Sequence, residues 1–474
     1  MRQGDELDVT IESAAFEGKS VARVDGLVVF VRGAVPGDTV HVRVAKMKNN
    51  FAEADILHSV SPSPLRVTPR CRYFGTCGGC KWQHVEYSAQ IEFKRQHVVD
   101  ALERIGGFRG VQVGPTLESE RIYFYRNKME FSFGDRWFPR DAWDAIREGA
   151  PRGGDERFAL GLHIAERFDK VLDLEECWLQ SETSAGIVNA VRSLSREHHI
   201  PVYSSQTHAG YLRNLVIRTN ERTDGLMVNL VTFDDRPDVM SIFVKKLLTE
   251  FPSITTIVNN ITQRKSQVAV GETERVCFGP GSITERIGKR TYRISANSFF
   301  QTNAAQAERL YETARRMARC APGDVLFDLY SGTGTIALHV ADDVRQVIGI
   351  ESVASSVEDA RRNATMNGVS NCSFILGDLK DTLVSPAEVR SGLPAPDVVI
   401  VDPPRAGMHE KVVRQLRQLR PRRIVYVSCN PSTQARDLKI LCSEGLYAIE
   451  EVVPVDMFPH TFHVESVVAL SLPA

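Results

Sequence analysis

Length, composition and charge limit the classes of protein that this sequence can encode. The chain has 474 residues, 43% of them hydrophobic and 25% charged, which is typical of a globular protein with roughly two to four domains. The sequence has no apolar run of about 18 residues that would span a membrane, and its first residues lack the apolar stretch of a secretory signal. We therefore expect a cytoplasmic protein with no membrane partner. The net charge of −1 excludes binding to nucleic acid through overall positive charge.

Residues 1–60 have the pattern of short β-strands. Apolar and polar residues alternate over 7–11 and over 40–44, and turns that contain glycine separate these stretches. Five short strands with such turns predict a small closed β-barrel. The sequence Ser61-Pro62-Ser63-Pro64 then predicts a linker.

The middle of the chain predicts a cysteine-rich segment, a helix and a mixed domain. Three cysteines, Cys71, Cys77 and Cys80, fall in residues 71–86, and residues 87–105 predict a helix. The apolar face of that helix would consist of Ile91, Val98, Leu102 and Ile105. Residues 121–290 are rich in strand signals and predict an α+β domain. Within them, 136–157 is rich in Arg, Asp, Gly and Pro, for which we expect a solvated loop, with RNA contact as the alternative.

From about residue 320, strands and helices alternate, which predicts a parallel doubly wound α/β sheet. The predicted strands are Val325–Tyr330, Val347–Glu351, Cys372–Gly377, Val398–Asp402 and Ile424–Ser428. The carboxyl ends of such strands line the ligand crevice of this fold class. The chemistry-bearing residues are therefore expected directly after these strands.

A glycine-rich loop follows the first of these strands. Asp328-Leu329-Tyr330-Ser331-Gly332-Thr333-Gly334-Thr335 closes a strand and precedes a helix, and the next strand ends in Glu351. An acid at that position is placed to bind ribose hydroxyls. The dinucleotide fingerprint would allow NAD, but Asp328 four residues before Gly332 is similar to the first motif of class I S-adenosylmethionine (SAM) methyltransferases. We therefore expect SAM as the cofactor.

The third and fourth strands of this part also end in acids. Asp378 could face the adenine ring of SAM, with capping of the following loop as the alternative. Asp402 begins the sequence Asp-Pro-Pro-Arg and would point at the substrate. Methyltransferases that act on amino groups of adenine carry an aromatic residue where this chain has Arg405. The arginine therefore counts against amino-group methylation.

Cys429 is the candidate nucleophile. It ends the fifth strand, and Asn430-Pro431 suits the start of a helix. The positive end of a helix dipole favours a thiolate there. A thiolate that adds to carbon 6 of uracil makes carbon 5 nucleophilic enough to take a methyl group from SAM.

That reaction also needs a base that removes the proton from carbon 5. Glu465 opens a predicted strand near residue 467 and is the candidate, with a water-facing edge glutamate as the alternative. His460 and His463 precede it and could be bases, packing residues or RNA contacts.

Four cysteines predict a metal centre. Cys71, Cys77 and Cys80 lie within ten residues, separated in part by Gly78-Gly79, and Cys177 is the natural fourth ligand. Zinc and an iron–sulfur cluster both bind four cysteines. The three-plus-one spacing favours a [4Fe–4S] cluster over zinc. The remaining cysteines, Cys277, Cys320, Cys372 and Cys442, are interpreted as packing residues.

Taken together, these motifs resemble the bacterial RNA uracil-C5 methyltransferases that carry an N-terminal TRAM domain and an iron–sulfur cluster and modify 23S ribosomal RNA. The resemblance covers nearly the whole chain. It implies Cys429 as the nucleophile, Glu465 as the base and the four cysteines as cluster ligands. It also implies SAM contacts by Gln301, Tyr330, Thr335, Glu351, Asp378 and Asp402. The family often has Asn at the positions of Thr335 and Asp378, where this chain departs from it.

The resemblance also implies a domain organisation. Residues 1–60 would form a TRAM barrel that grips RNA, and 71–86 with 121–290 a central domain that holds the cluster. Residues 87–118 and 291–474 would form the SAM-dependent domain. The barrel has seven Lys and Arg against nine Asp and Glu, so RNA contact would rest on a local patch, for which Arg43, Lys46 and Lys48 are candidates.

The expected function is methylation of carbon 5 of a uridine in 23S ribosomal RNA by a monomer. A transfer-RNA uracil-C5 methyltransferase is the nearest alternative, because it uses the same chemistry. An RNA-binding protein with a vestigial SAM fold is the alternative from another class, and intact Cys429, Glu465 and the glycine loop count against it.

Overall fold

The computed structural model describes residues 1–135, 137–138, 158–165, 167–220, 222–266, 269–383 and 393–473. Most of the segment predicted as an Arg-rich loop, 136–157, therefore lies outside the described residues. Within the described part of the chain, no helix is long and apolar enough to cross a membrane.

The N-terminal region is a six-stranded sheet. Its strands are β1 Glu6–Thr10, β2 Ser13–Ala14, β3 Ser20–Val24, β4 Leu27–Val31, β5 Thr39–Met47 and β6 Phe51–Ser61. The order is β1-β5-β6-β4-β3-β2, and β4 pairs with β6 in parallel. The alternating apolar residues, such as Val9, Val29 and Val42, form one buried core. The sequence predicted five strands, and residues 13–14 add a sixth among the described residues.

Helix α1, Tyr87–Ala101, follows the cysteine-rich segment and continues as a π-helical turn over Leu102–Gly106. Ile91, Val98 and Leu102 are buried as predicted, but Ile105 is 42% exposed. The prediction was wrong at Ile105 because the π-helical turn has a wider hydrogen-bond period than an α-helix. The wider turn rotates the last residues away from the apolar face.

The central region is a mixed sheet with helices α2 Glu182–Glu197 and α3 Pro237–Glu250. Its strands are β7 Lys128–Gly134, β8 Trp137–Phe138, β9 Ala159–Ile164, β10 Arg167–Asp173, β11 Leu212–Thr219, β12 Leu226–Thr232, β13 Thr256–Ile261 and β14 Thr273–Phe278. The strand order is β14-β13-β12-β11-β7-β9-β10-β8. The two helices contact each other and share a core with the sheet that includes Ile187, Leu215 and Phe243.

The C-terminal region begins with a hairpin of β15 Ser282–Ile287 and β16 Arg290–Ser295. Its further strands are β17 Val325–Leu329, β18 Gln346–Glu351, β19 Cys372–Leu376, β20 Val398–Val401, β21 Arg423–Ser428, β22 Ala448–Val455 and β23 Glu465–Ser471. Its helices are α4 Ala304–Ala318, α5 Thr335–Val340, α6 Ala354–Met366, α7 Leu379–Thr382, α8 Glu410–Leu419 and α9 Pro431–Leu441. Short 3-10 turns occur at Phe16–Gly18, Ala341–Asp343 and Ser443–Gly445.

The seven-stranded sheet of this region has the order β19-β18-β17-β20-β21-β23-β22. Strands β17 to β21 are parallel, which confirms the doubly wound prediction. Strand β23 is antiparallel to both β21 and β22, so the sheet is mixed at one edge. The strand order reverses between β17 and β20, and ligands bind outside the carboxyl ends of strands at such a point.

The central and C-terminal regions share a hydrophobic core. Met227 and Val258 of the central sheet belong to the same buried cluster as Tyr292 of the β15–β16 hairpin and the interior of the seven-stranded sheet. Helix α1 contacts α9 and β22. The segment between residues 87 and 106 therefore lies against the C-terminal region, although it comes early in the chain.

Candidate active site and cysteine site

The glycine loop follows β17 as predicted. Gly332 and Gly334 have φ of +52° and +79°, a left-handed backbone region that favours glycine. A Cβ at Gly334 would lie 2.8 Å from the Phe374 ring. Asp328 accepts a hydrogen bond from the backbone N–H of Ala337 at 2.9 Å, so its carboxyl caps the start of α5. Burial raises the pKa of Asp328 to about 8.

Glu351 lies at the tip of β18, directly against this loop. One of its carboxylate oxygens accepts the Gly332 N–H at 3.1 Å. The other accepts the N–H groups of Ser352 and Val353 at 2.8 and 2.9 Å. Backbone N–H donors thus hold the carboxylate of Glu351, the residue predicted to bind the ribose, at the edge of the crevice.

A tyrosine that the sequence analysis did not single out connects two of the predicted SAM residues. The Tyr311 hydroxyl accepts a hydrogen bond from Thr335 Oγ1 at 3.3 Å, and the Gln301 side chain also bonds to it. Burial, Asp402 and Asp328 raise the pKa of Tyr311. Tyr311 lies on the buried face of α4, so its sequence pattern indicated only a packing residue.

Tyr330 and Asp378 lie on the same side of the sheet. Tyr330 has φ of +64°, and burial, with the nearby Asp437 and Asp378, raises its pKa to about 12. Asp378 caps α7, because it accepts the Lys380 N–H at 3.0 Å, and it forms an ion pair with the Lys380 ammonium at 3.0 Å. These bonds lower the pKa of Asp378. The capping interaction that the sequence left open for Asp378 is present.

Cys429 directly follows β21, and the helix start behind it is built as predicted. The Asn430 side chain accepts the Ser432 N–H at 3.1 Å, and Pro431 is the first residue of α9. Asn430 also donates to the backbone oxygen of Arg405 at 3.1 Å. The loop after β21 is therefore tied to the loop after β20, where Asp402 lies.

Cys429, Asp402, Arg405 and Glu465 form one electrostatic cluster. Burial, Glu465 and Asp402 raise the pKa of Cys429 to about 11, while Arg405 lowers it by its charge and a hydrogen bond. Burial and Asp402 raise the pKa of Glu465 to about 8, and burial raises that of Asp402 to about 7. The helix start favoured a thiolate at Cys429, but burial and two carboxyl groups raise the pKa of the thiol above its ordinary value.

Arg405 and His463 contact each other in the site, which the sequence did not predict. The Arg405 guanidinium donates to His463 Nδ1 at 3.0 Å. Burial and Arg405 lower the pKa of His463 to about 4, so the ring is neutral and accepts this bond. His460 instead packs against Tyr123, with ring centroids 4.5 Å apart. The structure thus separates the two histidines that the sequence left ambiguous.

The four predicted cluster cysteines line one cavity, together with Tyr73, Phe74 and Trp178. Cys77 Sγ accepts the Gly79 N–H at 3.4 Å, and Cys80 Sγ accepts the Gln83 amide at 3.2 Å. Burial, together with the neighbouring cysteines, raises the pKa of Cys77 and of Cys80 to about 12. Among the described residues, no group of three or more His, Cys, Asp or Glu is arranged to hold a single metal ion.

Of the basic residues predicted to contact RNA on the N-terminal sheet, Arg43 is already paired. Its Nε and Nη2 donate to Glu6 Oε1 at 2.8 and 2.6 Å. Lys46 and Lys48 are exposed. The local patch is therefore less basic than the sequence indicated.

Comparisons with known proteins identify the family of this chain. The family model described as tRNA (Uracil-5-)-methyltransferase matches residues 245–472, and the TRAM domain model matches residues 2–57. The solved structure of Pyrococcus abyssi tRNA (uracil-54, C5)-methyltransferase in complex with S-adenosyl-L-homocysteine is 32% identical, with a TM-score of 0.75. That match covers 98% of this chain and 100% of the other. This chain belongs to the RNA uracil-C5 methyltransferase family.

Two curated relatives also match this chain over nearly its whole length. A protein of Chlorobaculum tepidum named as an RNA methyltransferase is 43% identical over 98% of this chain and 96% of its own length. One of Bacteroides thetaiotaomicron is 43% identical over 97% of this chain and 100% of its own. The reaction of the family is the SAM-dependent methylation of carbon 5 of uridine in RNA.

Proposed function

We propose that this methyltransferase modifies a uridine of 23S ribosomal RNA, with Cys429 as nucleophile and Glu465 as base. The observation that carries the proposal is the convergence of Cys429, Glu465 and Asp402 on one cluster beside the glycine loop. The three residues come from the ends of three different strands. A thiol and a buried carboxyl beside each other are what addition to carbon 6 and proton removal from carbon 5 require.

In the proposed first step, Cys429 releases its thiol proton to solvent and its sulfur bonds to carbon 6 of the uracil. The electrons of the C5–C6 double bond move to the carbonyl at carbon 4, giving an enolate. Carbon 5 then takes the methyl group of SAM, and S-adenosylhomocysteine remains. Arg405, which bonds to Cys429 and lowers its pKa, stabilises the thiolate that attacks.

In the second step, Glu465 removes the proton from carbon 5. The electron pair of that C–H bond restores the C5–C6 double bond and expels the Cys429 thiolate from carbon 6. Glu465 must be ionised to act, and its pKa of about 8 makes it a base poised near neutral pH. Its proton then passes to the released thiolate, which restores the starting state.

We assign SAM contacts to the residues around the glycine loop. Glu351 would bind the ribose, Asp378 would lie near the adenine, and Asp402 would lie near the methyl donor. Gln301, Tyr330 and Thr335 would complete the site. The left-handed glycines leave room for the backbone to approach a ligand, which supports this placement.

The cysteine site is proposed to bind a [4Fe–4S] cluster through Cys71, Cys77, Cys80 and Cys177. The donor set fits, because four partly buried thiols share one cavity and two of them accept N–H hydrogen bonds, which tune such clusters. When bound, the cluster would supply iron–thiolate bonds that hold the two cysteine segments together.

The target RNA has two candidates. The cysteine motif and N-terminal strands resemble the group that modifies 23S ribosomal RNA. A transfer RNA is the second candidate, because the Pyrococcus abyssi enzyme that resembles this chain along its whole length is named for uracil 54 of tRNA. Methylation of separated ribosomal and transfer RNA with labelled SAM, followed by mapping of the label, decides between them. Label confined to tRNA would overturn the 23S assignment.

The mechanism is tested by covalent trapping. RNA that contains 5-fluorouridine should stay bonded to the protein in the presence of SAM, since fluorine cannot be removed as a proton. Cys429→Ala should abolish the adduct, while Cys442→Ala should retain it. Cys442 is a suitable control, because burial also raises its pKa to about 12 and it lies at the far end of α9. An adduct with Cys429→Ala would show that another group is the nucleophile.

A further inference from the structure

One buried face of helix α1 is polar. Tyr87, Gln90 and Lys94 are spaced three and four residues apart, so they lie in one row. Gln90 and Lys94 are both fully buried. A buried helix face is ordinarily apolar, and a buried ammonium group is costly unless it is paired. We call these three residues the polar row.

The polar row contacts the loop between β22 and β23, residues 456–464. The Lys94 ammonium forms an ion pair with Asp456, whose side chain is also fully buried, and donates to the Phe458 carbonyl at 3.0 Å. The Tyr87 hydroxyl donates to Asp456 Oδ2 at 2.7 Å. The Phe458 N–H donates to Asp456 Oδ1 at 3.1 Å. These bonds fix the first residues of the loop.

Gln90 holds the middle of the same loop. Its Oε1 accepts the His460 N–H at 2.9 Å, while its Nε2 donates to the carbonyls of Trp82 and Val85 at 2.9 and 2.8 Å. The His460 carbonyl in turn accepts the N–H groups of Lys81 and Trp82 at 2.8 and 3.0 Å. The residues that follow Cys80 are thereby tied to the loop.

The loop does not adopt this shape by local preference. His460 has φ of +64°, a left-handed conformation that costs free energy for a residue with a side chain. Such a conformation persists only where surrounding contacts determine it. Gln90 and the backbone of Lys81 and Trp82 supply those contacts.

Both ends of the loop meet the active site. Val455, the residue before Asp456, is the cross-strand partner of Glu465, and this is the last pair of the β22–β23 ladder. The last pair of a ladder is the one most prone to open. Near its other end, the loop carries His463, which accepts the hydrogen bond from Arg405.

We propose that Tyr87, Gln90 and Lys94 are positioning residues for Glu465. This rests on the proposed role of Glu465 as base. The polar row keeps the final β22–β23 pair closed and aims the Glu465 carboxyl at carbon 5. A buried ion pair can often be replaced by apolar groups without loss of stability, so its value here is the unique position that it gives the loop.

The proposal separates two steps of the reaction, and the experiment measures both. The variants are Lys94→Met combined with Asp456→Asn, and Gln90→Met, each of similar volume to the wild type. Trapping on 5-fluorouridine RNA should proceed at the wild-type rate, because Cys429 is not displaced. On unmodified RNA the covalent adduct should last about a hundredfold longer, since small misplacement of a catalytic group has that effect.

Tyr87→Phe is the mildest variant and should fold even where the others do not. It loses the hydrogen bond to Asp456 and the one that the hydroxyl accepts from the Ser119 N–H. For the loss of the Asp456 bond we expect an adduct lifetime about fivefold longer. The matched control is Arg66→Met combined with Asp38→Asn. Asp38 is likewise fully buried, paired with Arg66 and bonded to two backbone N–H groups, but it lies in the N-terminal region. This control should lose thermal stability without any change in adduct lifetime.

The outcomes distinguish this proposal from the proposed function. Glu465→Gln must itself lengthen the adduct lifetime; if it does not, Glu465 is not the base. If Glu465→Gln lengthens it while Tyr87→Phe, Gln90→Met and the Lys94 variant release product at the wild-type rate, the polar row has no positioning role. An equal change in the Arg66 control would likewise reduce the effect to general stability and overturn the proposal.

Discussion

Two buried thiol sites of this protein can be compared directly. Burial raises the pKa of Cys429 to about 11 and those of Cys77 and Cys80 to about 12, so burial does not distinguish them. Their neighbours do. Cys429 lies among two carboxyls and a guanidinium, whereas Cys77 and Cys80 lie among other cysteines.

The groups around a thiol therefore indicate its chemistry better than the pKa of the thiol does. A thiol beside proton acceptors and a cation can lose its proton when a substrate arrives and regain it afterwards. Thiols that face each other gain only when a metal replaces their protons. The first arrangement indicates a nucleophile and the second a ligand set.

Removal of the Cys429 thiol should have the greatest effect on activity. Cys429→Ala should lower methyl transfer by about 10⁶-fold, the scale seen when a covalent nucleophile is removed. The iron content of anaerobically purified protein should stay unchanged. Labelled SAM and iron analysis on the same preparation measure both. Loss of iron from this variant would show that the two sites are not independent.

Removal of one cysteine of the proposed cluster site should change the iron content instead of the methylation chemistry. Cys80→Ser should remove most of the roughly four irons per chain that a [4Fe–4S] cluster contributes, while the protein that remains folded should still form the 5-fluorouridine adduct. Absorption in the visible range and iron analysis follow the loss. A colourless wild-type protein that contains one zinc would show that the cluster assignment is wrong.

The pH dependence of stability reports on the carboxyl group beside Cys429. Glu465 has an ordinary pKa of 4.5, raised to about 8 in the fold, so the folded protein retains a proton that the unfolded chain loses. The resulting stabilisation is complete below pH 4.5 and is lost as pH rises to about 8. Within that window it changes by at most about 1.4 kcal/mol per pH unit.

Glu465→Gln should therefore flatten the fall in unfolding free energy between pH 4.5 and 8, as measured by denaturant titration. Asp328 and Asp402, with pKa values raised to about 8 and 7, should keep part of the slope in the variant. Identical slopes in the two proteins would mean that Glu465 is ionised when buried.

The smallest effect concerns the helix behind Cys429. Asn430→Ala removes the cap of α9 and should cost about 1 kcal/mol of stability. It also removes the bond to the Arg405 carbonyl, so methyl transfer should fall more than the change in stability explains. Gln434, on the same helix but bonded to Tyr426 and Ser466, offers a control: Gln434→Met should affect stability alone.

The local features of the site could be predicted from the sequence, and its long-range contacts could not. Asn430-Pro431 predicts the helix start after Cys429. The alternation of strands and helices predicts that Asp328 and Asp402 lie at the carboxyl ends of strands. The Arg405–His463 bond and the Lys94–Asp456 pair join residues that are far apart in the chain. No local pattern encodes them, because they exist only once the strands are ordered in the sheet.

The two departures from expectation have the same origin. The expectation of a thiolate at Cys429 rested on the helix that follows it. It left out the carboxyl groups of Glu465 and Asp402, which other strands place beside the thiol. Ile105 was assigned to an apolar face by a regular period, and a π-helical turn interrupts that period. In both cases a rule for one element was correct locally and was overridden by its surroundings.

The place of β23 has a consequence for how the protein folds. This strand follows β21 and β22 in the chain but lies between them in the sheet, so β22 has no strand to pair with in this sheet until β23 arrives. Pairings between distant segments form late, because loop closure must precede them. Glu465 is the first residue of β23. Closure of the sheet and arrival of the proposed base are therefore a single folding event, and a chain stalled before it would hold Cys429 without Glu465.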